Sequence, residues 1–338
     1  MVDVPACTDS ACPLHHPAPA GPPLDPRILV RVGDRMELTG SLACTTLARR
    51  CLQDPEGLAL ESCEPASVFG IVPRRTIPAD ADAPWERYCD DIRAAMLTLL
   101  ARTEQPLATR LFWQATFAER TRSFYYRGVE VFDEAALAGE LALIEDPVEL
   151  DQLARHFGAM RLPGTVALRA VAEVLNNRVR HPGVARFQQL IQQVFSGFAA
   201  VAQDGPEATE TGVIAAWAER RLAWESRHGP VLDLAFTHYA TLYWLRELYP
   251  DAPDLLVHTQ HLCLRLAVLR FLLFFHPALE CGADAPDAAD RLTDSLVEVI
   301  ALFAVAVEED AAFLRECEAA LGRAGVQTLA HTVLLLGC

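Results

Sequence analysis

Beyond residue 83 the apolar positions recur three and four apart. Residues 85–102 place Ile92, Ala95, Met96, Leu99 and Leu100 on one face. Residues 107–126 repeat the pattern with Leu107, Leu111, Ala115 and Ala118, and residues 166–179 repeat it with Ala167, Leu168, Val171, Val174 and Leu175. A period near 3.6 marks amphipathic helices, each with one face toward a core. The same reading predicts helices over 134–157 with a break at Pro147, and over 184–201, 207–227, 231–249, 254–275, 287–307, 310–322 and 326–336. The 254–275 segment is apolar nearly all round, which places it centrally. The breaks are short, as in Leu162-Pro163-Gly164 or His228-Gly229-Pro230. Such loops join antiparallel neighbours in bundles. The expected fold class is all-α, a multi-helix bundle.

The N-terminal part breaks this pattern. Residues 1–33 are rich in Pro and Gly and predict a short irregular segment, extended or mobile, because proline removes a donor and disfavours helix before it. A short helix is expected near 42–52, a turn at Asp54-Pro55-Glu56-Gly57, and a short strand or extended loop over 68–77. The expected division is therefore an N-terminal segment, 1–33, and a helical domain, 34–338.

Composition narrows the partners. The chain has 338 residues and a formal charge of −16. All 29 basic residues are arginine; there is no lysine. An acidic chain is a poor match for nucleic acid, whose phosphates need a basic surface. No apolar leader lies in the first 25 residues, and the apolar stretch 262–279 carries Arg265, Arg270 and His276. A membrane-spanning helix wants ~20 apolar residues with few charges. A cytoplasmic protein with no membrane partner is the expectation, so disulfides are not the default for the ten cysteines.

Most chemical motifs fail. There is no G-x-G-x-x-G after a strand, no P-loop and no G-x-S-x-G elbow. Glu225 and His228 have the Glu-x-x-His spacing of di-iron bundles, but such sites need a second copy. His258 and His261 can share a helix face, with no further ligand placed beside them. Tyr239, Tyr243, Trp244 and Tyr249 form a stripe that reads as core. The one local cluster with ligand chemistry is Cys7 and Cys12 with His15 and His16 nearby; Cys44 completes a metal set of Cys7, Cys12, His15 and Cys44 if the tail folds back.

A family resemblance adds to this. The run Glu37-Leu38-Thr39-Gly40-Ser41-Leu42-Ala43-Cys44-Thr45-Thr46-Leu47-Ala48-Arg49 resembles a block of the flagellin lysine-N-methylase family. Cys44 and Ala48-Arg49 match it, Thr45 and Thr46 stand where the family has Pro and Glu, and Asp54-Pro55 supplies the following turn. Pro26-Arg27 stands at an upstream Pro-Arg pair. Asp91-Ile92-Arg93 through Leu99-Leu100, then Pro106-Leu107 through Arg110-Leu111, resemble a long helix and a second helix carrying Arg-Leu. Residues 239–250, 262–274 and 292–314 resemble later segments, and the likeness spans about residues 30–320.

The resemblance implies transfer of a methyl group from S-adenosylmethionine to lysine ε-amines of flagellin or another lysine-bearing protein. It also implies an N-terminal cysteine-rich region associated with an iron–sulfur cluster, of which this chain keeps at most Cys7 and Cys12. The alternative is a non-catalytic helical protein-binding module derived from that family. No catalytic or cofactor-binding residue is carried over. Methyl transfer needs a neutral amine, hence a site that desolvates lysine or supplies a base.

Overall fold

The computed structural model describes residues 27–53, 61–63, 75–77, 84–126, 134–162, 164–180, 184–203, 210–248, 254–323 and 325–337. Four strands come early: β1 (Arg27–Val32), β2 (Arg35–Gly40), β3 (Glu61–Cys63) and β4 (Arg75–Ile77), with helix α1 (Thr45–Gln53) between β2 and β3. The helices that follow are α2 (Pro84–Arg87), α3 (Cys89–Leu100), α4 (Leu107–Tyr126), α5 (Glu134–Leu143), α6 (Pro147–Ala159), α7 (Gly164–Arg180) and α8 (Ala185–Gln203). The chain closes with α9 (Glu210–Arg246), α10 (Leu255–Phe274), α11 (Ala288–Phe303), α12 (Ala311–Arg323) and α13 (Leu329–Leu335). The fold is mainly helical, as the periodicity predicts.

The sheet has the order β3-β2-β1-β4. β1 and β2 form an antiparallel hairpin with Val32 opposite Arg35, and β4 lies parallel to β1. The two-residue turn needs a positive φ, which Gly33 supplies at 59°. Residues 27–33, expected as irregular, are therefore a strand entering a turn. The alternation of Ile28 and Val30 gives β1 a face that the helical core can cover. Of the 68–77 expectation, Arg75–Ile77 is a strand and 68–74 lie outside the described residues. Arg93 of α3 fastens the sheet by donating to both carboxylate oxygens of Glu37, at 2.8 and 3.1 Å.

Helix ends follow the local sequence. Pro147, expected as a break, occupies the first turn of α6, where its missing N–H is no loss, and Asp146 accepts from Val148 N at 2.8 Å. Asp254 caps α10 through Val257 N at 2.8 Å, and Thr328 caps α13.

At the centre α10 is buried on almost every side, so Leu269 or Phe274 contacts neighbours rather than water. Fully burying such a side chain is worth ~1.5–3 kcal/mol. Among the described residues α10 alone is long and apolar enough to cross a membrane, and 89% of that window is buried in the protein. It packs on α4, α7, α9, α11 and α13. The two helices expected over 207–227 and 231–249 are present over their described residues and run into one another at His228, whose geometry is not helical; α9 denotes this kinked pair. The helix expected over 287–307 changes character at Ala304: Ala304–Glu308 is a π turn, in which Glu309 N donates to Ala304 O at 2.9 Å.

That π turn carries Glu308 into the core. The Tyr239 hydroxyl donates to one of its oxygens, Arg246 Nη2 lies 3.4 Å from the other, and Arg265 Nη1 lies 3.6 Å from the first. Arg265 also stacks over the Tyr243 ring, 4.8 Å from its centroid, and approaches Glu247 at 4.0 Å. Burial opposes the Arg265 charge, but Glu308, then Tyr243, Tyr239 and Glu247, outweigh it and raise its pKa. Burial, followed by the Glu308 charge, keeps the Tyr239 phenol protonated.

Glu308→Ala leaves Arg246 buried without its counter-charge and Arg265 with Glu247 alone, and removing one partner of such a group costs ~3–5 kcal/mol. Urea denaturation should show a loss of that size, and a loss below ~1 kcal/mol would contradict the role given to Glu308. On α11, Glu298 meets His276 at 3.5 Å and Arg186 at 2.7 Å. The His276 hydrogen bond, with help from Arg186 against burial, holds its carboxyl down at about 2 from an ordinary 4.5. A carboxyl depressed by folding stabilises above its unfolded pKa, and that stability is lost as pH falls through the folded one. Between pH 4.5 and 2 the wild type should thus lose stability more steeply than Glu298→Gln in thermal melts at stepped pH.

Candidate functional site

A cleft of about 510 Å³ opens where α9 kinks. Ligand pockets commonly measure ~300–1,000 Å³. The kink follows from His228-Gly229-Pro230: Pro230 has no N–H to give and its ring crowds the preceding turn, so His228 leaves helical geometry at φ −123°, ψ 17°. The His228 ring is held by the Ala283 carbonyl at 3.0 Å and lies against Trp224 at 5.4 Å between centroids. On the cleft floor Gly229 keeps the middle open, since a Cβ built there meets nothing within 4 Å. Gly158, on the α6 wall, also faces open space.

Residues of α9 spaced about one turn apart form the floor: Arg221, Glu225, Gly229, Asp233 and Phe236. Pro106, Leu107 and Ala108 at the start of α4, Phe157 and Met160 at the end of α6, and Leu336 and Gly337 after α13 complete it. A narrow apolar recess shares Leu107, Phe236 and Arg270 with the cleft and continues to Leu111, Cys263 and Leu266.

The charges fall in two groups, one on each side of the kink, and these are called the two ends of the cleft. At one end Asp233 accepts from Leu107 N at 2.9 Å and from Arg110 Nη2 at 2.5 Å. The carboxylate thereby caps α4 from another helix, where the N–H groups and helix dipole favour negative charge. Arg110 is wholly buried and also donates to Leu100 O at 2.6 Å. At the other end Glu225 pairs with Arg270 and approaches Arg221 Nε at 3.6 Å, while Arg221 Nη1 donates to Gly337 O at 2.9 Å. All three side chains there remain about a quarter exposed.

Other candidates resolve as structure. Glu225 and His228 point to different partners, Arg270 and Ala283, and not to a common metal. Tyr239, Tyr243 and Trp244 are core, as expected; Tyr249 lies outside the described residues. His258 is buried against the Tyr243 and Trp244 rings, and burial, with the Arg265 charge, pushes His261 down to about 4. Ser295, His276 and Glu298 imitate a hydrolytic triad, with Ser295 Oγ 3.1 Å from His276 Nδ1. Yet Ser295 is 1% exposed and Ala278 N donates to the same nitrogen, so the group pins a turn and offers no nucleophile to a substrate. Burial pushes the Cys51 and Cys263 thiols up to about 12, which leaves them as small apolar residues.

Of the expected metal ligands, Cys7, Cys12 and His15 lie outside the described residues. Cys44 is fully buried ahead of α1, its carbonyl accepting from Ala48 N at 2.8 Å. Among the described residues no group of three His, Cys, Asp or Glu side chains is placed to hold a metal ion.

Sequence reasoning missed Asp233 and Glu308, which look like ordinary helical acids. Arg110 had a signal, since Arg110-Leu111 is one of the pairs that carry the family resemblance, but a lone arginine does not reveal that it is buried. Arg110→Met strips the cation from behind Asp233. Because Asp233 is 35% exposed, water compensates in part, and the expected loss is ~2 kcal/mol rather than the ~3–5 of a fully buried pair. Chemical denaturation measures it; an unchanged midpoint would contradict the pairing.

Residues 93–335 match the FliB lysine N-methylase C-terminal domain, which is more than two thirds of the chain. No curated protein and no solved structure matches.

Proposed function

The chain belongs to the FliB lysine N-methylase family, and on that premise we propose that it moves methyl groups from S-adenosylmethionine to lysine ε-amines of flagellin or another lysine-bearing protein, in the α9 cleft. The observation that carries this reading is the family match, within which Arg110, Arg221, Glu225, Asp233 and Arg270 all fall. The cleft supports it physically. Its volume suits a nucleoside cofactor together with a side chain, and its walls are largely apolar, with Phe157, Met160 and Phe236 available to a flat ring.

The residues have identifiable work to do. Asp233 draws a lysine ammonium into the cleft by charge. The apolar side chains that line the cleft with it, Leu107, Leu232 and Phe236, then disfavour the charged form, because desolvation lowers a lysine pKa. A neutral amine is what attack on a sulfonium methyl requires. The absence of lysine from this chain leaves its own side chains out of the reaction.

One observation favours a second reading, a binding module without catalysis: Val231 and Leu234 are 47% and 46% exposed beside the cleft on α9, an apolar strip that a partner could cover.

Mass spectrometry of flagellin incubated with the protein and S-adenosylmethionine separates the two. Lysine adducts in steps of about 14 Da are expected. Gly229→Leu puts a side chain into the middle of the cleft, where a Cβ meets nothing within 4 Å, so methylation should fall at least ~10-fold while the melting temperature holds. Flagellin bound but left unmodified would overturn methylation in favour of the module.

A further inference from the structure

We propose that the two ends of the α9 cleft are distinct subsites: Arg221, Glu225 and Arg270 take an α-amino-acid zwitterion, the head of the methyl donor, and Asp233 takes the target ammonium. This rests on the methylase reading and assigns its two substrates to named residues.

The ends differ in which charges they show. Behind Asp233 the cation is hidden: Arg110 is wholly buried, so only the carboxylate, 35% exposed, faces the cleft. A carboxylate alone selects a cation. It has room for one, because Leu107 N and Arg110 use one contact on each oxygen and a carboxylate offers about four lone-pair sites. At the other end both signs are on view. Arg221, Arg270 and Glu225 are 22%, 24% and 26% exposed. A guanidinium takes a carboxylate bidentately, and Glu225 can accept from the ammonium of the same α-carbon. The two groups of an amino acid thus replace an arginine–glutamate contact on each side, with no net charge buried.

The placement agrees. Glu225 and Asp233 line the same cleft from opposite sides of the kink, four residues before Gly229 and four after it. The short chain from an α-carbon to a sulfonium, then a methyl and an amine nitrogen, is the link that two such anchors require. Gly229 lies midway and presents no side chain. When both subsites are filled, the amine nitrogen forms the N–C bond as the C–S bond breaks, its electron pair staying on sulfur and the ammonium proton having left to water through the open cleft.

Calorimetry tests the assignment with two probes, S-adenosylhomocysteine and 5′-methylthioadenosine, which lacks the amino-acid head. The wild type should bind the first at least ~10-fold more tightly. Glu225→Gln with Arg270→Gln should erase that preference and leave methylthioadenosine binding unchanged. Asp233→Asn should leave both affinities alone and raise the KM for flagellin lysines without a matching loss in kcat. Arg221→Gln, which keeps the Glu225–Arg270 pair, is the second variant should the double one not fold, and it should weaken S-adenosylhomocysteine alone. A preference that survives these changes, or one lost in Asp233→Asn, overturns the subsites. Retained selective binding with no methylation would instead overturn the methylase reading and leave the amino-acid subsite standing.

Discussion

The buried carboxylate of Glu308 holds three parts of the molecule in one arrangement. Tyr239 and Arg246 reach it from α9, Arg265 from α10, and Glu308 itself from the π turn after α11. Two arginines in a core are costly unless their charge is met, and a single misplaced turn would leave them unmet. The wide turn at Ala304–Glu308 is therefore more than an irregularity: π geometry shifts the residues beyond it round the helix axis, and here it carries the carboxylate inward. A hydrophobic cluster of equal volume could stabilise as well, but it would tolerate a slip of α9 against α10. The ionic group tolerates none.

The cleft depends on the same helix. Asp233 lies less than two turns before Tyr239, so the segment of α9 that answers Glu308 also fixes where Asp233 meets α4. Each half of α9 is locked separately: Arg220 donates to Phe274 O at 2.5 Å and to Leu279 O at 3.1 Å before the kink, and His238 meets Leu52 O at 2.9 Å after it. The sheet and α1, although outside the helical body in sequence, brace this arrangement through α1 contacts to α9 and α11, including Arg49 to Asp294 at 2.6 Å.

Helices were legible because their cause is local. The run from Leu255 to Phe274 is apolar on all faces, and central burial follows from that alone. The β1–β2 hairpin was harder to read, since it follows proline-rich text and its first strand is only six residues long, with Arg27 and Arg31 among them. The break at His228-Gly229-Pro230 is legible as well, because its cause is local; that the two helices meet there without a longer loop is not, since the Ala283 carbonyl holds His228 from another part of the chain. Site charges were illegible for a related reason. Whether Asp233 is a surface acid or a cleft wall depends on Arg110, 123 residues away, and no periodicity links the two.

The kink has a mechanical consequence. Two helical arms meet at it, 210–227 and 229–246, each about 27 Å long at helical rise. An arm of that length converts angle into displacement: a change of about 5° at the kink carries its far end through roughly 2 Å. The cleft lies at the fulcrum. A ligand there sits on the short side of each arm, so that a change in the width of the cleft is enlarged at the arm's far end.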